Sequence, residues 1–279
     1  MSSPIGIIAG QGRLPILTAQ GIRAAGFKVA CIGLRDQFTP DLPQYCDFFQ
    51  TASITHLGRW IRLFHRWNVH QAVMVGRVRK TRMYDPFKWL HYIPDWRAAK
   101  IWYFRLRHDR RTDKLLSAVA DELLSQGITL MDSTTYIPQS LAQTGPLTST
   151  KPSSSVLADI AFGLPIVRRL GDLDIGQAIA VKDREVIAVE AIEGTDAMIR
   201  RAGELCPTGG WTLIKLAKPN QDMRFDVPTV GLQTIQNLHA AGACCLAVEA
   251  GKTILLDTQD MISVAEKHKI SLIGVRDSV

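Results

Sequence analysis

The sequence lacks the long apolar segments and the cysteine pairs that are typical of membrane-spanning and disulfide-bonded proteins. No apolar run approaches the roughly 18 residues of a membrane-spanning helix, and no basic and then apolar leader opens the chain. The five cysteines are odd in number and form no C-x-x-C pair; they are Cys31, Cys46, Cys206, Cys244 and Cys245. We therefore expect reduced thiols, no zinc site and a cytoplasmic protein.

Several catalytic signatures are also missing. The chain has no G-x-S-x-G nucleophile elbow, and its histidines do not cluster near a serine or cysteine signature. The glycine loop Gly6–Pro15 is not a Walker A loop, because it lacks Gly-Lys-Ser/Thr, and the chain has none of the D-x-H or GNHD/H patterns of two-metal hydrolases. These absences argue against a covalent serine or cysteine intermediate. They leave hydrolysis by a metal-bound or aspartate-oriented water.

Positive charge is present and is concentrated in one segment. Residues 56–111 hold fourteen Lys or Arg against three Asp, a net +11, whereas the whole chain carries +7. The same segment holds eleven of the twenty aromatic residues, and in 96–107 they approach helical spacing. Such a surface suits nucleic acid, anionic lipid headgroups or a phosphorylated amphiphile, unless the aromatics are core and the arginines are merely solvated. Because no helix-turn-helix, RNP or KH pattern is present, we expect no nucleic-acid partner.

Strands that alternate with helices dominate the first half of the chain. The apolar run Ile5–Ala9 predicts a strand, Leu14–Ala25 a helix, and Phe27–Leu34 and Gln71–Val75 two further strands. The pattern resumes with a helix over Thr112–Gln126 and a strand over Ile128–Asp132. This alternation predicts an α/β fold with a Rossmann-like parallel sheet over residues 1–138.

The second half has a different character. Residues 139–155 are rich in Ser, Thr, Pro and Gly, which predicts a linker, and residues 156–279 then form a mixed α+β domain. Ile179–Val181 and Val186–Glu190 predict a hairpin, and Thr195 caps a helix that runs through Leu205. A second pair is predicted between Cys244–Glu249 and Thr253–Leu256.

Two glycine-bearing turns and one helix start in the first half are candidate binding elements. Gly10-Gln11-Gly12 follows a strand and precedes a helix, where backbone N–H groups can approach a phosphate. Gly76-Arg77 follows another strand, at the edge where ligands bind in open α/β sheets. Asp113 lies in the first turn of a helix. Tight turns, solvated arginines and favourable helix-end charge are the structural alternatives for these residues.

Oxygen-rich turns and one charged loop stand out in the second half. Carboxylates and a polar amide cluster around glycines in 172–177 and 190–196, and such clusters suit Mg²⁺, although turn and cap chemistry explains each turn alone. The loop 215–231 carries two Lys, one Arg and two Asp within twelve residues. Its cations would neutralise a diphosphate, and an aspartate there would hold Mg²⁺ or orient a water.

Several of these segments together resemble a known enzyme family. The matching stretches are IAGQGRLP, Gly76–Val78, Asp113–Leu116, Asp174–Gln177, VEAIEGTDAMIRR and KxxKPNQDMRFDVPTVG. In this order, and over nearly the whole chain, they resemble the two-domain, metal-dependent UDP-2,3-diacylglucosamine pyrophosphatases of lipid A biosynthesis. The EGTDAM and KPxQDxRxDxPTxG patterns are specific, whereas the glycine loop is not.

The resemblance implies a cytoplasmic-side hydrolase that needs Mg²⁺. It would cleave UDP-2,3-diacylglucosamine to UMP and 2,3-diacylglucosamine 1-phosphate (lipid X), with the substrate held between a Rossmann-like domain and a C-terminal domain. Asp226 takes the place of the essential aspartate. Thr81 stands where relatives commonly carry proline, which motivates the alternative of a protein that binds a nucleotide sugar or lipid without hydrolysis. A peripheral inner-membrane location and a homodimer are further expectations.

Asp226 is the expected catalytic residue, and Asp226, Asp222 and Asp196 are the expected metal ligands, with Asp174 left open. The expected substrate-binding residues are Gly10, Gln11, Gly12, Gly76, Arg77, Asp113, Gln177, Thr195, Lys215, Lys218, Gln221 and Arg224.

Overall fold

The chain forms two compact units. A computed structural model describes residues 2–78, 94–101, 103, 112–219 and 221–276. The first unit comprises Met1–Pro138 and Asp222–Phe225, and the second comprises Gln139–Gln221 and Asp226–Val279. The loop that contains Asp226 therefore contributes four residues to the first unit, although the chain on either side belongs to the second.

The first unit contains a five-stranded parallel sheet in the order β3-β2-β1-β4-β5. Its strands are β1 (Ile5–Ala9), β2 (Val29–Leu34), β3 (Phe48–Ala52), β4 (Gln71–Val75) and β5 (Thr129–Leu130). The helices are α1 (Leu14–Ala24), α2 (Leu57–Arg66), α3 (Trp96–Lys100) and α4 (Thr112–Ser125). All residues of β1 and β2 are buried, as expected for parallel strands covered on both faces. The predicted Rossmann-like sheet is confirmed.

The described part of the basic, aromatic segment is divided between core and surface. Trp60 and Phe64 of α2 are buried in the core, and the indole N–H of Trp60 donates to the carbonyl of Ser53. Trp96, at the start of α3, is 80% exposed. The core interpretation therefore holds for α2. Residues 79–93, 102 and 104–111 lie outside the described residues, and no helix within the described ranges is long and apolar enough to cross a membrane.

The second unit contains a six-stranded mixed sheet in the order β6-β13-β11-β9-β7-β8. Its strands are β6 (Gly145–Pro146), β7 (Ala178–Lys182), β8 (Glu185–Val189), β9 (Trp211–Lys215), β11 (Ala243–Glu249) and β13 (Ser271–Val275). A separate parallel pair joins β10 (Thr229–Val230) to β12 (Ile254–Leu255). The helices are α5 (Ser154–Asp172), α6 (Thr195–Leu205), α7 (Leu232–Ala240) and α8 (Thr258–Lys267). The mixed second half and the β7–β8 hairpin agree with the prediction.

Two segments of the second unit differ from the sequence-based expectation. Residues 139–155, expected to be a linker, contribute the edge strand β6 and the buried Ala142. The predicted pair of Cys244–Glu249 with Thr253–Leu256 is wrong. Both edges of β11 are occupied, by β9 and β13, so β12 pairs with β10 instead.

Candidate functional site

The strand order of the first unit reverses after β1. From β1 the chain proceeds to β2 and β3 on one side and then returns to β4 on the other side. Ligands of open α/β sheets bind at such a reversal, at the carboxyl ends of the strands. Gly10 and Gly76 follow the adjacent ends of β1 and β4, where Ala9 lies opposite Val75. The structure therefore brings the two predicted glycine turns together.

These turns are held against one another by backbone hydrogen bonds. The amide of Gln11 donates to the carbonyl of Arg77 at 2.9 Å, and the amide of Arg77 donates to the carbonyl of Gln11 at 2.8 Å. A Cβ on Gly10 would lie 2.7 Å from the Arg77 carbonyl oxygen, and one on Gly76 would lie 2.8 Å from the Gly10 carbonyl carbon. Glycine is required at both positions because the two backbones touch.

This packing uses the amides that were expected to face a phosphate. Gly10 donates to the carbonyl of Val75, Gln11 to Arg77, and Gly12 to the hydroxyl of Thr39 at 3.1 Å. In this arrangement the glycines serve the packing of the loops rather than a backbone cradle. Substrate contact by Gln11 and Arg77 stays a prediction that rests on their side chains.

The side chain of Asp113 and residues 79–81 fall outside the part of the chain that the structure describes. The backbone of Asp113 lies in the first turn of α4, as predicted, but its side chain is outside the described residues. Arg79, Lys80 and Thr81, where the chain departs from the family pattern, also lie outside them.

A buried polar chain lies at one end of the second sheet. The ammonium group of Lys215 donates to the hydroxyl of Thr195 at 3.0 Å, and that hydroxyl donates to Oε1 of Glu190 at 2.7 Å. Lys215 ends β9, Thr195 begins α6 and Glu190 follows β8. Gln177 precedes β7 at the same end of the sheet, and its buried Oε1 has no hydrogen-bond partner among the described residues.

Gln221 organises the charged loop around Asp226. Its side-chain carbonyl accepts from the amide of Lys218 at 2.7 Å, and its side-chain NH₂ donates to Oδ2 of Asp226, also at 2.7 Å. The ammonium group of Lys218 donates to Oδ1 of Asp174 at 2.5 Å. The structure thus joins three of the predicted residues, Lys218, Gln221 and Asp226, to one another and to Asp174.

Asp222 and Arg224 form their own pair within the first unit. Two guanidinium nitrogens of Arg224 donate to the carboxylate of Asp222, with the shortest bond at 2.6 Å. These bonds hold the pKa of Asp222 below its ordinary value, and Asp222 in turn raises the pKa of Arg224. The guanidinium also lies 5.3 Å from the ring centre of Phe225. To bind a diphosphate, the guanidinium of Arg224 must either contact Asp222 and the diphosphate together or break its ion pair with Asp222.

The three predicted metal ligands have three different partners. Asp222 is held by Arg224 and Asp226 by Gln221, while Oδ1 of Asp196 accepts from Asn237 at 2.9 Å. Within the ranges that the structure covers, no three His, Cys, Asp or Glu side chains group as metal ligands. Mg²⁺ commonly binds through one or two carboxylates and the substrate phosphates, a mode that the exposed Asp226 fits. The magnesium site stays a prediction, centred on Asp226.

Two residues of these arrangements are not among those predicted. Thr39 fixes the Gly12 turn through two hydrogen bonds, and no pattern in the sequence near it signals this contact. Glu190 anchors the polar chain in the second unit. Its available signal is a carboxylate directly after a strand, within the same motif that contains Thr195.

Comparisons with known proteins agree with this architecture. The model of the LpxI N-terminal domain matches residues 4–140, and that of the LpxI C-terminal domain matches residues 143–273. Over 279 residues the chain is 31% identical to the UDP-2,3-diacylglucosamine pyrophosphatase LpxI of Caulobacter vibrioides, and the match covers 97% of each of the two chains. Two matching domains in the correct order span almost the whole chain. The chain therefore belongs to the LpxI family.

Proposed function

We propose that this protein is a hydrolase of lipid A biosynthesis that cleaves the diphosphate of UDP-2,3-diacylglucosamine. The products would be UMP and 2,3-diacylglucosamine 1-phosphate. The full-length likeness to a relative that bears the name UDP-2,3-diacylglucosamine pyrophosphatase carries this proposal. The geometry of the Asp226 loop supports it.

In this proposal Asp226 orients the attacking water and accepts its proton. The hydrogen bond from Gln221 fixes the orientation of the carboxylate, which a general base requires. The ammonium groups of Lys215 and Lys218 neutralise charge on the diphosphate. Lys218 has three N–H donors, and Asp174 accepts one of them.

Magnesium fits this proposal as a cofactor held by Asp226 and the diphosphate itself. When bound, it would polarise the phosphorus centre and neutralise the leaving phosphate. Asp222 is a weaker candidate as a ligand, because Arg224 holds both of its carboxylate oxygens, whereas Asp196, like Asp226, accepts from a side-chain amide and remains a candidate.

Exposed apolar side chains support an amphiphilic substrate. Ile175 and Ile192 are exposed on two neighbouring turns. The two turns are in close contact, since a Cβ on Gly176 would lie 2.0 Å from the carbonyl oxygen of Glu190. Leu173 is exposed on the first of these turns. We propose that this apolar rim meets acyl chains at the cytoplasmic face of the inner membrane. A homodimer remains a prediction.

The first prediction concerns Asp226. Asp226→Asn keeps the shape of the side chain but removes the base, so we expect turnover to fall by at least about 10²-fold. The measurement is UMP release from UDP-2,3-diacylglucosamine, with Mg²⁺ and with EDTA. Asp183→Asn is the matched control, since Asp183 is exposed in the β7–β8 turn with a φ of 53°, which asparagine tolerates.

Two outcomes contradict the proposal. Near wild-type turnover by Asp226→Asn would remove Asp226 from the chemistry. Absence of UMP release from folded wild-type protein, with tight binding of the same substrate, would favour the non-catalytic binding protein.

A further inference from the structure

The buried chain from Lys215 to Glu190 has a fixed direction. An ammonium group only donates hydrogen bonds and a carboxylate only accepts them. The Thr195 hydroxyl must therefore accept from Lys215 and give its own proton to Glu190. Thr195 links a buried cation to a buried anion, since Lys215 is 7% exposed and Glu190 is 6% exposed.

The pairing of β7 with β9 brings Lys215 and Glu190 close to one another. Ala178 lies opposite Lys215 in the antiparallel β7–β9 pair, and its carbonyl accepts from the amide of Glu190 at 2.9 Å. Residues that lie opposite one another in adjacent strands point to the same face. The single methyl group of Ala178 leaves room above it, where the two long side chains converge on the first residue of α6.

Packing alone does not account for a glutamate at position 190. Its second oxygen, Oε2, is buried and has no hydrogen-bond partner among the residues that the structure describes. A buried carboxylate with an unsatisfied oxygen is costly, and an apolar side chain of similar size would pack there without that cost. Such a group in a native fold calls for an explanation outside packing.

We propose that Glu190 is a positioning residue for Lys215 and acts on it through the Thr195 hydroxyl. The inference rests on the proposed function, in which Lys215 faces the diphosphate. Glu190 is buried and does not touch the substrate. It restricts a long, flexible ammonium side chain to one orientation before the charge of the transition state develops. Its loss should therefore lower kcat more than it changes KM.

Four variants test the inference. Glu190→Gln keeps an oxygen for Thr195 but removes the charge, and Thr195→Val removes the link. We expect each to lower kcat for UMP release by about tenfold or more, with KM within about threefold of wild type. Thr195→Ser should restore most of the kcat that Thr195→Val loses. Lys215→Met removes the group that is positioned.

The double variants separate positioning from a general structural role. If Glu190 acts through Lys215, adding Glu190→Gln or Thr195→Val to Lys215→Met should lower kcat by no more than about twofold further. If the effects of the two substitutions on kcat multiply in the double variants, the inference is overturned. A wild-type kcat in Glu190→Gln would also overturn it. Circular dichroism and thermal midpoints identify variants that do not fold. If Thr195→Val does not fold, the kcat of Glu190→Gln alone tests the inference.

The inference and the proposed function fail in distinguishable ways. If folded wild-type protein releases no UMP, the proposed function fails and the positioning role falls with it. If wild-type protein is active and the single and double variants combine multiplicatively, only the positioning role fails.

Discussion

At the scale of single residues, two aspartates of one loop accept hydrogen bonds from different kinds of donor. Asp222 is bound by the guanidinium of Arg224, whereas Asp226 accepts from the neutral amide of Gln221. A carboxylate whose two oxygens both accept from one arginine is a poor base, because its lone pairs are engaged and its pKa is lowered. The pairing thus distinguishes two carboxylates that the sequence alone leaves equivalent.

The second prediction follows from the lowered pKa of Asp222. The folded pKa lies below the ordinary value of 3.8, so the pair's contribution to stability is present above that value. It is lost as the pH falls through the folded pKa. Asp222→Asn should therefore be less stable than wild type at about pH 6, and the difference should shrink towards about pH 3.

Urea midpoints measured across this pH range provide the test. Asp183→Asn, on the exposed β7–β8 turn, is the matched control and should follow wild type. A stability difference that is the same at both ends of the range would mean that ionisation of Asp222 is not its source.

At the scale of elements, the packing of the β1 and β4 turns depends on two glycines. The third prediction compares Gly76→Ala with Gly26→Ala, because both positions have a left-handed φ, of 99° and 83°. An alanine at either position should cost about 1–2 kcal/mol from backbone strain. Only at Gly76 would the Cβ also meet backbone, at 2.8 Å, whereas no atom lies within 4 Å at Gly26.

Gly76→Ala should therefore be less stable than Gly26→Ala by a further ~1–3 kcal/mol. Denaturant unfolding of the two variants measures this difference. Equal losses of stability would show that contact between the turns contributes nothing beyond the strain of the backbone.

Burial explains which elements could be predicted from the sequence. The strand β1 is a continuous apolar run because both of its faces are covered, and β4 is apolar from Ala72 to Val75 after the exposed Gln71; both strands were predicted with their observed bounds. The edge strand β3, Phe48–Ala52, alternates in exposure and gives no such run. The helix α5 was not predicted, and Pro165 interrupts its helical pattern. The pairing of β12 depends on which strand edges are occupied, which no local pattern encodes.

The candidate site shows the same division. Motifs identify Thr195, Lys215, Gln221 and Asp226, because the residue types and their order along the chain are local information. Their partners are tertiary information. Glu190 meets Lys215 only because β7 lies between the strands that carry them.

At the scale of the whole molecule, the first unit depends on residues distant in the sequence. Phe225 packs against the core that contains β1 and α2, and the carbonyl of Met223 accepts from both the amide and the hydroxyl of Ser133. Asp222–Phe225 thus complete a unit whose other described residues end at Pro138.

The fourth prediction is that Phe225→Ala destabilises the first unit by about 2 kcal/mol. This is less than the cost of truncating a fully buried phenylalanine, because Phe225 is only half-buried. Hydrogen exchange should accelerate in β1 and β4. Phe162→Ala, a partly exposed phenylalanine of α5, is the matched control and should leave those strands unchanged. Unchanged protection of β1 and β4 in Phe225→Ala would mean that the segment does not stabilise this unit.

The order of strands in the second sheet also determines when it can form during synthesis. The strand β13 lies between β6 and β11, and Pro146 of β6 pairs with Ile273 of β13. Chains grow by about 5–20 residues per second, so the stretch between β6 and its partner β13 takes roughly 6–25 s to synthesise. Until then one edge of β11 stays unpaired, and the apolar faces of an incomplete sheet are exposed. The second sheet therefore stays incomplete until nearly the whole chain has been synthesised, whereas the strands of the first sheet are all synthesised before residue 139.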